Sequence, residues 1–368
     1  MMENQKYQIG ILFGGRSSEH EVSLMSARSV LDAIDLDKYG IIQIGITHDG
    51  IWLSGENAID AMMNSQANQL TPVTMFPDPT HHGLYTIRDG QYLQYANIDV
   101  YFPILHGTFG EDGTLQGLFE MAEVAYVGAG VLGAAVGMDK AIFKDIMIAN
   151  NIPVVDGFVI SKNQLQTDME IIIDNAEKFS PYPIFTKPAN MGSSVGVTKC
   201  RSRSDIYEGL IEASRYDRRV LIERGINARE IEISVLGNDN PQASIPGEIS
   251  PEADFYSYDA KYHDEKSELI IPAPIPNETA DQMRKMALTA YRAIDCAGMA
   301  RVDFLLDRDS GEFYLNEVNT IPGFTQISMY PKLWEASGLP YPQLIERLIE
   351  LALERWRERN QIEKRYQR

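Results

Sequence analysis

Strand and helix signals alternate through the first third of this chain, and that rhythm admits few folds. Gln8 to Phe13 is a buried-strand run, Gly14-Gly15 a tight turn, and Ser23 to Ile34 carries a helical pattern. Ile41 to Thr47 reads as a second strand, and Val100 to Leu105 as a later one. Strands joined in this way run parallel, with helices crossing over the sheet. A Pro-rich, His-containing stretch from Thr71 to Gly83 reads as an irregular excursion, and Leu115 to Ala122 as a helix. At 368 residues the chain is too long for one compact core, so two or three domains are expected.

The texture changes beyond this region. Lys140 to Asn150 is helical and stops at Asn-Asn-Ile-Pro. Pro183 to Lys187 and Val195 to Cys200 read as strands joined by Pro188-Ala189-Asn190-Met191-Gly192-Ser193-Ser194. Val220 to Glu223, Glu230 to Leu236 and a long polar stretch from Ser250 to Ser267 follow. Arg301 to Phe304 and Leu315 to Asn319 then form a hairpin around Asp307-Arg308-Asp309-Ser310-Gly311. The expected organisation is an α/β domain over 1–135, then two α+β lobes over 136–220 and 221–368.

Composition removes several function classes. A hydrophobic share of 44% with 23% charged residues is ordinary for a soluble globular chain. The net charge of −19 argues against nucleic acid as a partner, which needs clustered Lys and Arg. The exception is Glu354 to Arg368, with six Lys/Arg against three Glu, which reads as a helix end whose cations meet the negative dipole terminus. No apolar run approaches the ~18 residues of a membrane span. Met1 to Lys6 lacks the basic, apolar, small-residue order of a signal peptide, and Cys200 and Cys296 suit a reducing compartment, so a cytoplasmic location is expected.

The hairpin carries the sharpest chemistry. Side chains alternate along strands, so Asp303 falls nearly opposite Glu317, with Asn319 close by. Two carboxylates and an amide oxygen make a hard ligand set suited to Mg²⁺, which usually completes its shell with water and nucleotide phosphate, although a surface hairpin with solvated acids explains the same residues. Gly192-Ser193-Ser194-Val195-Gly196 is a phosphate-loop candidate within reach of Lys187, although an ordinary hairpin loop explains the same residues. Gly128-Ala129-Gly130-Val131-Leu132-Gly133 matches the dinucleotide pattern letter for letter, yet it lies deep in the domain and reads as a turn opening a helix that runs to Asn150. No Gly-Lys pair exists for a Walker A loop. Glu19 and Glu21 sit at a helix start where they could cap it or hold a substrate ammonium. His106 ends a strand, where open α/β sheets place ligands, although a lone His is more often structural. Glu223 to Ile226 resembles a connector offering backbone to an adenine edge, with Glu230 spaced for a ribose. Phe255 to Tyr262 is aromatic yet polar, as lids often are, although a packed surface loop with buried tyrosines reads the same way.

Taken together these segments resemble the D-alanine–D-alanine ligases of the ATP-grasp superfamily. The match runs through Phe-Gly-Gly-Arg-Ser-Ser-Glu-His-Glu-Val-Ser (13–23), Leu-His-Gly (105–107), Gly-Glu-Asp-Gly-Thr-Leu-Gln-Gly (110–117) and Met-Asp-Lys (138–140). It continues in Lys-Pro-Ala-Asn-Met-Gly-Ser-Ser-Val-Gly (187–196), Asn-Ala-Arg-Glu (227–230) and Ala-Lys-Tyr (260–262). Ala-Arg-Val-Asp-Phe (300–304) and Asn-Glu-Val-Asn-Thr-Ile-Pro-Gly-Phe-Thr (316–325) complete it. The resemblance implies a Rossmann-like preATP-grasp domain followed by a two-lobed ATP-grasp domain with a lid near 250–270. It implies ATP, two Mg²⁺ ions for which Mn²⁺ can substitute, and two D-alanines joined through an acyl phosphate for peptidoglycan.

By the same resemblance, Lys140, Lys187 and Lys261 hold phosphates, Glu223 the adenine and Glu230 the ribose. Asp303, Glu317 and Asn319 take the metal. Glu19 pairs with the first ammonium near His106, and Ser193 and Tyr262 link Glu19 to the lid. Arg301 and the Gly323 N–H stabilise the oxyanion, and Ser328 takes the second carboxylate. A homodimer through the N-terminal domain is implied. Tyr262 favours dipeptide over D-alanyl-D-lactate, whose ligases resemble Phe or a differently built His lid there. A D-lactate ligase, a non-catalytic nucleotide-binding relative and an ATP-grasp carboxylase are the alternatives; the metal set disfavours the second, and the Glu19 segment the third.

Overall fold

The computed structural model describes residues 6–250 and 268–363. Its first sheet contains β1 (Tyr7–Gly14), β2 (Tyr39–Ile46), β3 (Trp52–Ser54), β4 (Thr71–Pro72), β7 (Val100–Pro103) and β8 (Ala125–Tyr126), in the order β4-β3-β2-β1-β7-β8. β1 runs parallel to β2 and β7, and β7 parallel to β8, as the alternating pattern predicts. α1 (His20–Ala33) is the crossover between β1 and β2, and α2 (Ala58–Met63) packs on β2. The loops 15–19 and 104–113 therefore leave the same end of adjacent parallel strands, where such sheets bind ligands.

The excursion is more ordered than expected. It includes β4 and leads into a hairpin of β5 (Leu84–Arg88) and β6 (Gln91–Ala96). Its turn is Asp89-Gly90, both at positive φ, the dipeptide that two-residue hairpins favour.

A second sheet, entirely antiparallel, has the order β11-β10-β12-β9, from β9 (Gly157–Ser161), β10 (Ile184–Pro188), β11 (Thr198–Cys200) and β12 (Arg219–Arg224). The boundary expected at 220 falls inside β12, whose hydrogen bonds to β10 and β9 keep it in the central lobe. α6 (Lys162–Phe179) and α7 (Arg203–Tyr216) cover this sheet, each starting at a serine whose side chain accepts from the helix backbone.

The third sheet has the order β16-β15-β13-β17-β18, with β14 (Gln242–Ala243) beside β13 (Ala228–Leu236). Its other strands are β15 (Gly247–Ser250), β16 (Glu268–Ile270), β17 (Met299–Asp307) and β18 (Phe313–Asn319). α8 (Asn277–Ala293) packs against it. α3 (Thr114–Met121) is the crossover between β7 and β8, and α4 (Val131–Met138) and α5 (Lys140–Ala149) connect the first unit to the second. The glycine-rich turn opens α4, as expected, but the helix does not run unbroken to Asn150. Asp139 is extended, and its carboxylate accepts from the Ile142 N–H to cap a new helix.

The end of the chain returns to its beginning. α9 (Met329–Ala336) precedes α10 (Tyr341–Gln361), and the apolar stripe of α10 lies in one core with Ile9, Ile11, Phe13, Val100 and Phe102. Arg355 donates to Gly128 O at 2.6 Å, Trp356 Nε1 to Glu123 O at 2.7 Å, and Arg359 pairs with Glu120. Helix-end cations thus fasten α10 to the N-terminal unit, a stronger reason for them than the helix dipole. Leu348, fully buried here, is expected to lose about 2–5 kcal/mol on Leu348→Ala, read from denaturant midpoints.

Candidate active site

The third sheet aligns three acids in one row. Register pairs Glu232 on β13 with Asp303 on β17, and Asp303 with Glu317 on β18. Arg301 shares the face of Asp303 and lies opposite Asn319. Its Nε and Nη2 donate to the two oxygens of Asp303 at 2.8 and 2.6 Å, and Nε lies 3.1 Å from Glu232 Oε2. Burial alone would weaken the guanidinium charge, but Asp303 and Glu232 hold its pKa well above the ordinary value. Asn319 Oδ1 accepts from the Ile321 N–H at 3.1 Å, which fixes the amide orientation. Asp303, Glu317 and Asn319 offer oxygen only, and this donor set fits a hard divalent cation.

Two cavities meet at this row. The larger, about 630 Å³, opens between the second and third sheets and is lined by Lys187, Glu223, Glu230, Asp303 and the backbone-rich connector 224–228. The smaller, about 520 Å³, is lined by Glu19, His106, Arg301, Gly323 and Ser328. Lys140, Met191, Gly192, Ser193, Glu232 and Glu317 line both. Lys140 Nζ donates to Met191 O at 2.6 Å, tying α5 to the loop between β10 and β11.

The smaller cavity joins distant segments. Ser193 Oγ donates to Glu19 Oε1, and Ser193 and Ser194 are both left-handed, at φ of 50° and 58°. Such backbone is unfavourable for serine and persists where the surroundings over-determine it. Gly107 also needs to be glycine. Its φ is 75°, and a Cβ there would stand 2.6 Å from Glu19 Oε2.

His106 holds the loop after β18. Its Nδ1 donates to Ile321 O at 2.9 Å, and its Nε2 accepts from Ser26 Oγ at 3.2 Å. Burial pushes its pKa down, so the imidazole is neutral in this arrangement. Glu111, which the sequence marks only as part of the segment 110–117, accepts from the Gly107 N–H at 2.6 Å and the Ile321 N–H at 3.2 Å. Burial, with Glu19 adding to it, raises its pKa to about 8. Glu111→Gln turns one accepting oxygen into a donor facing an N–H, and about 1–3 kcal/mol of stability is expected to be lost in thermal melts.

In the larger cavity, Glu223 lies between two lysines. Lys144 Nζ is 2.5 Å from Oε1 and donates to Val155 O at 2.8 Å, while Lys187 pairs with Oε2. Burial raises the Glu223 pKa, but Lys187 and Lys144 outweigh it and bring the carboxyl down to about 2 from 4.5. The folded value lies below the unfolded one. The triad therefore stabilises the fold above about pH 4.5 and loses that contribution as pH falls through 2. Acid unfolding curves of wild type and Glu223→Gln are expected to converge in that window.

A family model described as D-ala D-ala ligase N-terminus matches residues 8–129, and one described as D-ala D-ala ligase C-terminus matches residues 146–350. The chain belongs to the D-alanine–D-alanine ligase family. A D-alanine–D-alanine ligase of Heliobacterium modesticaldum is 50% identical over 355 residues, 96% of each chain. Among solved structures, the D-alanine-D-alanine ligase from Coxiella burnetii has a TM-score of 0.82 at 36% identity, covering 97% of this chain and 96% of that one. The VanG D-Ala:D-Ser ligase from Enterococcus faecalis has a TM-score of 0.84 at 35% identity, covering 95% and 100%.

Of the residues the family resemblance singles out, Glu19, Ser193, His106, Arg301, Gly323 and Ser328 line the smaller cavity. Lys187, Glu223, Glu230, Asp303 and Glu317 line the larger, and Asn319 borders the smaller beside Glu317. The Glu223 carboxylate is engaged by Lys144 and Lys187, and both ring nitrogens of His106 are engaged, by Ile321 O and Ser26 Oγ. Lys261 and Tyr262 lie outside the described residues, and so does most of the expected lid. Ser328 Oγ accepts from the Thr325 N–H at 3.1 Å, at the start of α9.

Proposed function

We propose that this chain joins two D-alanines into D-alanyl-D-alanine using ATP, releasing ADP and phosphate, in the cytoplasm for peptidoglycan precursors. The observation that supports the reading is the wall shared by the two cavities, lined on both sides by Ser193, Glu232 and Glu317, so that a nucleotide in one would meet a small zwitterion in the other. ATP occupies the larger cavity, with phosphates beside Lys187 and Lys140 and the ribose beside Glu230. The first D-alanine places its ammonium on Glu19. One of its carboxylate oxygens attacks the γ-phosphorus, ADP departs, and an acyl phosphate remains. The amine of the second D-alanine, its carboxylate at Ser328, then attacks the acyl carbon. Arg301 and the Gly323 N–H stabilise the tetrahedral oxyanion, and collapse expels phosphate.

Asp303, Glu317 and Asn319 would hold Mg²⁺, two ions with Mn²⁺ able to substitute, supplying charge neutralisation at the transferring phosphoryl group. Among the described residues no helix is long and apolar enough to cross a membrane. A homodimer through the N-terminal unit completes the reading.

The test is D-alanine-dependent phosphate release from Mg-ATP, with the product identified by mass in the presence of equimolar D-lactate and D-serine. D-alanyl-D-alanine as the main product is expected. A depsipeptide or D-alanyl-D-serine would overturn the second-substrate assignment, and no phosphate release would overturn the reaction.

A further inference from the structure

We infer that Glu232 is a positioning residue that keeps the Arg301 guanidinium directed into the smaller cavity while Asp303 is engaged by a cation; this rests on the function proposed above. Both Asp303 oxygens face Arg301, at 2.8 and 2.6 Å. A cation taken by Asp303 draws on the same carboxylate and repels the guanidinium. Arg301 then needs another counter-charge, because an unpaired buried guanidinium is strongly unfavourable.

Glu232 Oε2, 3.1 Å from Arg301 Nε, meets that need from the side away from Glu317. Its side chain is 5% exposed, and it stands on β13 between β15 and β17, so its carboxylate is fixed by the sheet. It lines both cavities but adjoins the cation row through Asp303 rather than through Glu317. The three acids thus divide the work. Glu317 and Asp303 face the cation, and Glu232 retains the arginine that the second reaction step uses. Nothing in composition or motif marks this residue. The signal lay in period-two spacing, which puts Glu232 on the face of Glu230.

The test uses the full-length enzyme as Glu232→Ala, Glu232→Gln, Arg301→Ala and the Glu232→Ala/Arg301→Ala double variant. Arg301→Ala is expected to lower kcat about a hundredfold, and Glu232→Ala roughly ten- to thirtyfold, since each weakens one oxyanion donor. The KM for ATP stays within about twofold, and the double variant is no worse than Arg301→Ala by more than about twofold, because the residues act as one unit.

Mn²⁺ binding in the presence of ADP, read by electron paramagnetic resonance, stays within about threefold of wild type in Glu232→Ala, as no ligand is lost. Losses that multiply in the double variant, or Mn²⁺ binding weakened about tenfold or more, would overturn the inference and make Glu232 an independent or cation-binding residue. Glu232→Gln preserves shape and covers the case in which the alanine variant does not fold; wild-type kcat there would also overturn it. Full activity in Arg301→Ala would instead count against the oxyanion role given to Arg301 itself.

Discussion

Asp303→Asn is expected to lower the ligation rate about a thousandfold, since cation charge stabilisation supplies several kcal/mol at 1.36 kcal/mol per tenfold. Asp303 has two partners at once, Arg301 through both oxygens and, in the proposed reaction, the divalent cation. Asparagine keeps the shape and one acceptor oxygen but removes the charge that competes for the metal. The fold is expected to survive, because Glu232 remains beside the guanidinium. Steady-state rates, melting temperature and Mn²⁺–ADP binding separate these effects: turnover and metal affinity fall together, while the fold loses no more than about 1–3 kcal/mol, the cost of one acceptor turned donor toward Arg301. Turnover within tenfold of wild type would remove Asp303 from the account.

The second large effect is on stability. Glu223→Leu leaves Lys144 and Lys187 facing one another without their carboxylate, and breaking such a buried cluster costs about 3–5 kcal/mol. The loss sits toward the lower end, because burial already depresses the Lys144 pKa and the amine can shed its proton. Chemical denaturation of Glu223→Leu against wild type measures it. Lys144→Met is the informative companion. It leaves Lys187 as the sole counter-charge to Glu223 within the triad, so Lys187 is held back from phosphate and the KM for ATP rises while kcat changes little. Unchanged midpoints and ATP dependence in both variants would show that the triad contributes nothing.

The parts of this protein most legible from sequence were those written in local periodicity. The Met299–Asp307 and Phe313–Asn319 hairpin shows its alternation and its turn, so even the Asp303–Glu317 pairing was readable. β1, α1 and β2 were equally plain. Contacts between distant segments were not. Ser193 and Glu19 are 174 positions apart, and only family resemblance linked them. Glu111 reaches Ile321 across 210 positions, and nothing in a Gly-Glu-Asp-Gly turn announces a buried carboxyl.

Other misses had a signal. Lys144 lies four residues after Lys140, on the same face of α5, where a second cation can reach the same cleft. Asp89-Gly90 is a hairpin turn that the preceding Pro-rich stretch obscured. The apolar stripe of α10 could be read, but the sheet it covers belongs to the opposite end of the chain. Periodicity names a buried face without naming what buries it.

The account turns on phosphoryl transfer to a carboxylate across the wall shared by the two cavities. The most direct measurement of that step uses D-alanine carrying ¹⁸O in its carboxyl group, with mass analysis of the phosphate released from unlabelled ATP in ordinary water. Attack by the carboxylate on phosphorus, followed by expulsion of phosphate from the acyl carbon, moves one labelled oxygen into each phosphate formed. Phosphate carrying that label, in amounts matching the dipeptide, is the predicted result. Unlabelled phosphate alongside dipeptide would contradict the acyl phosphate and the assignment of the two cavities with it.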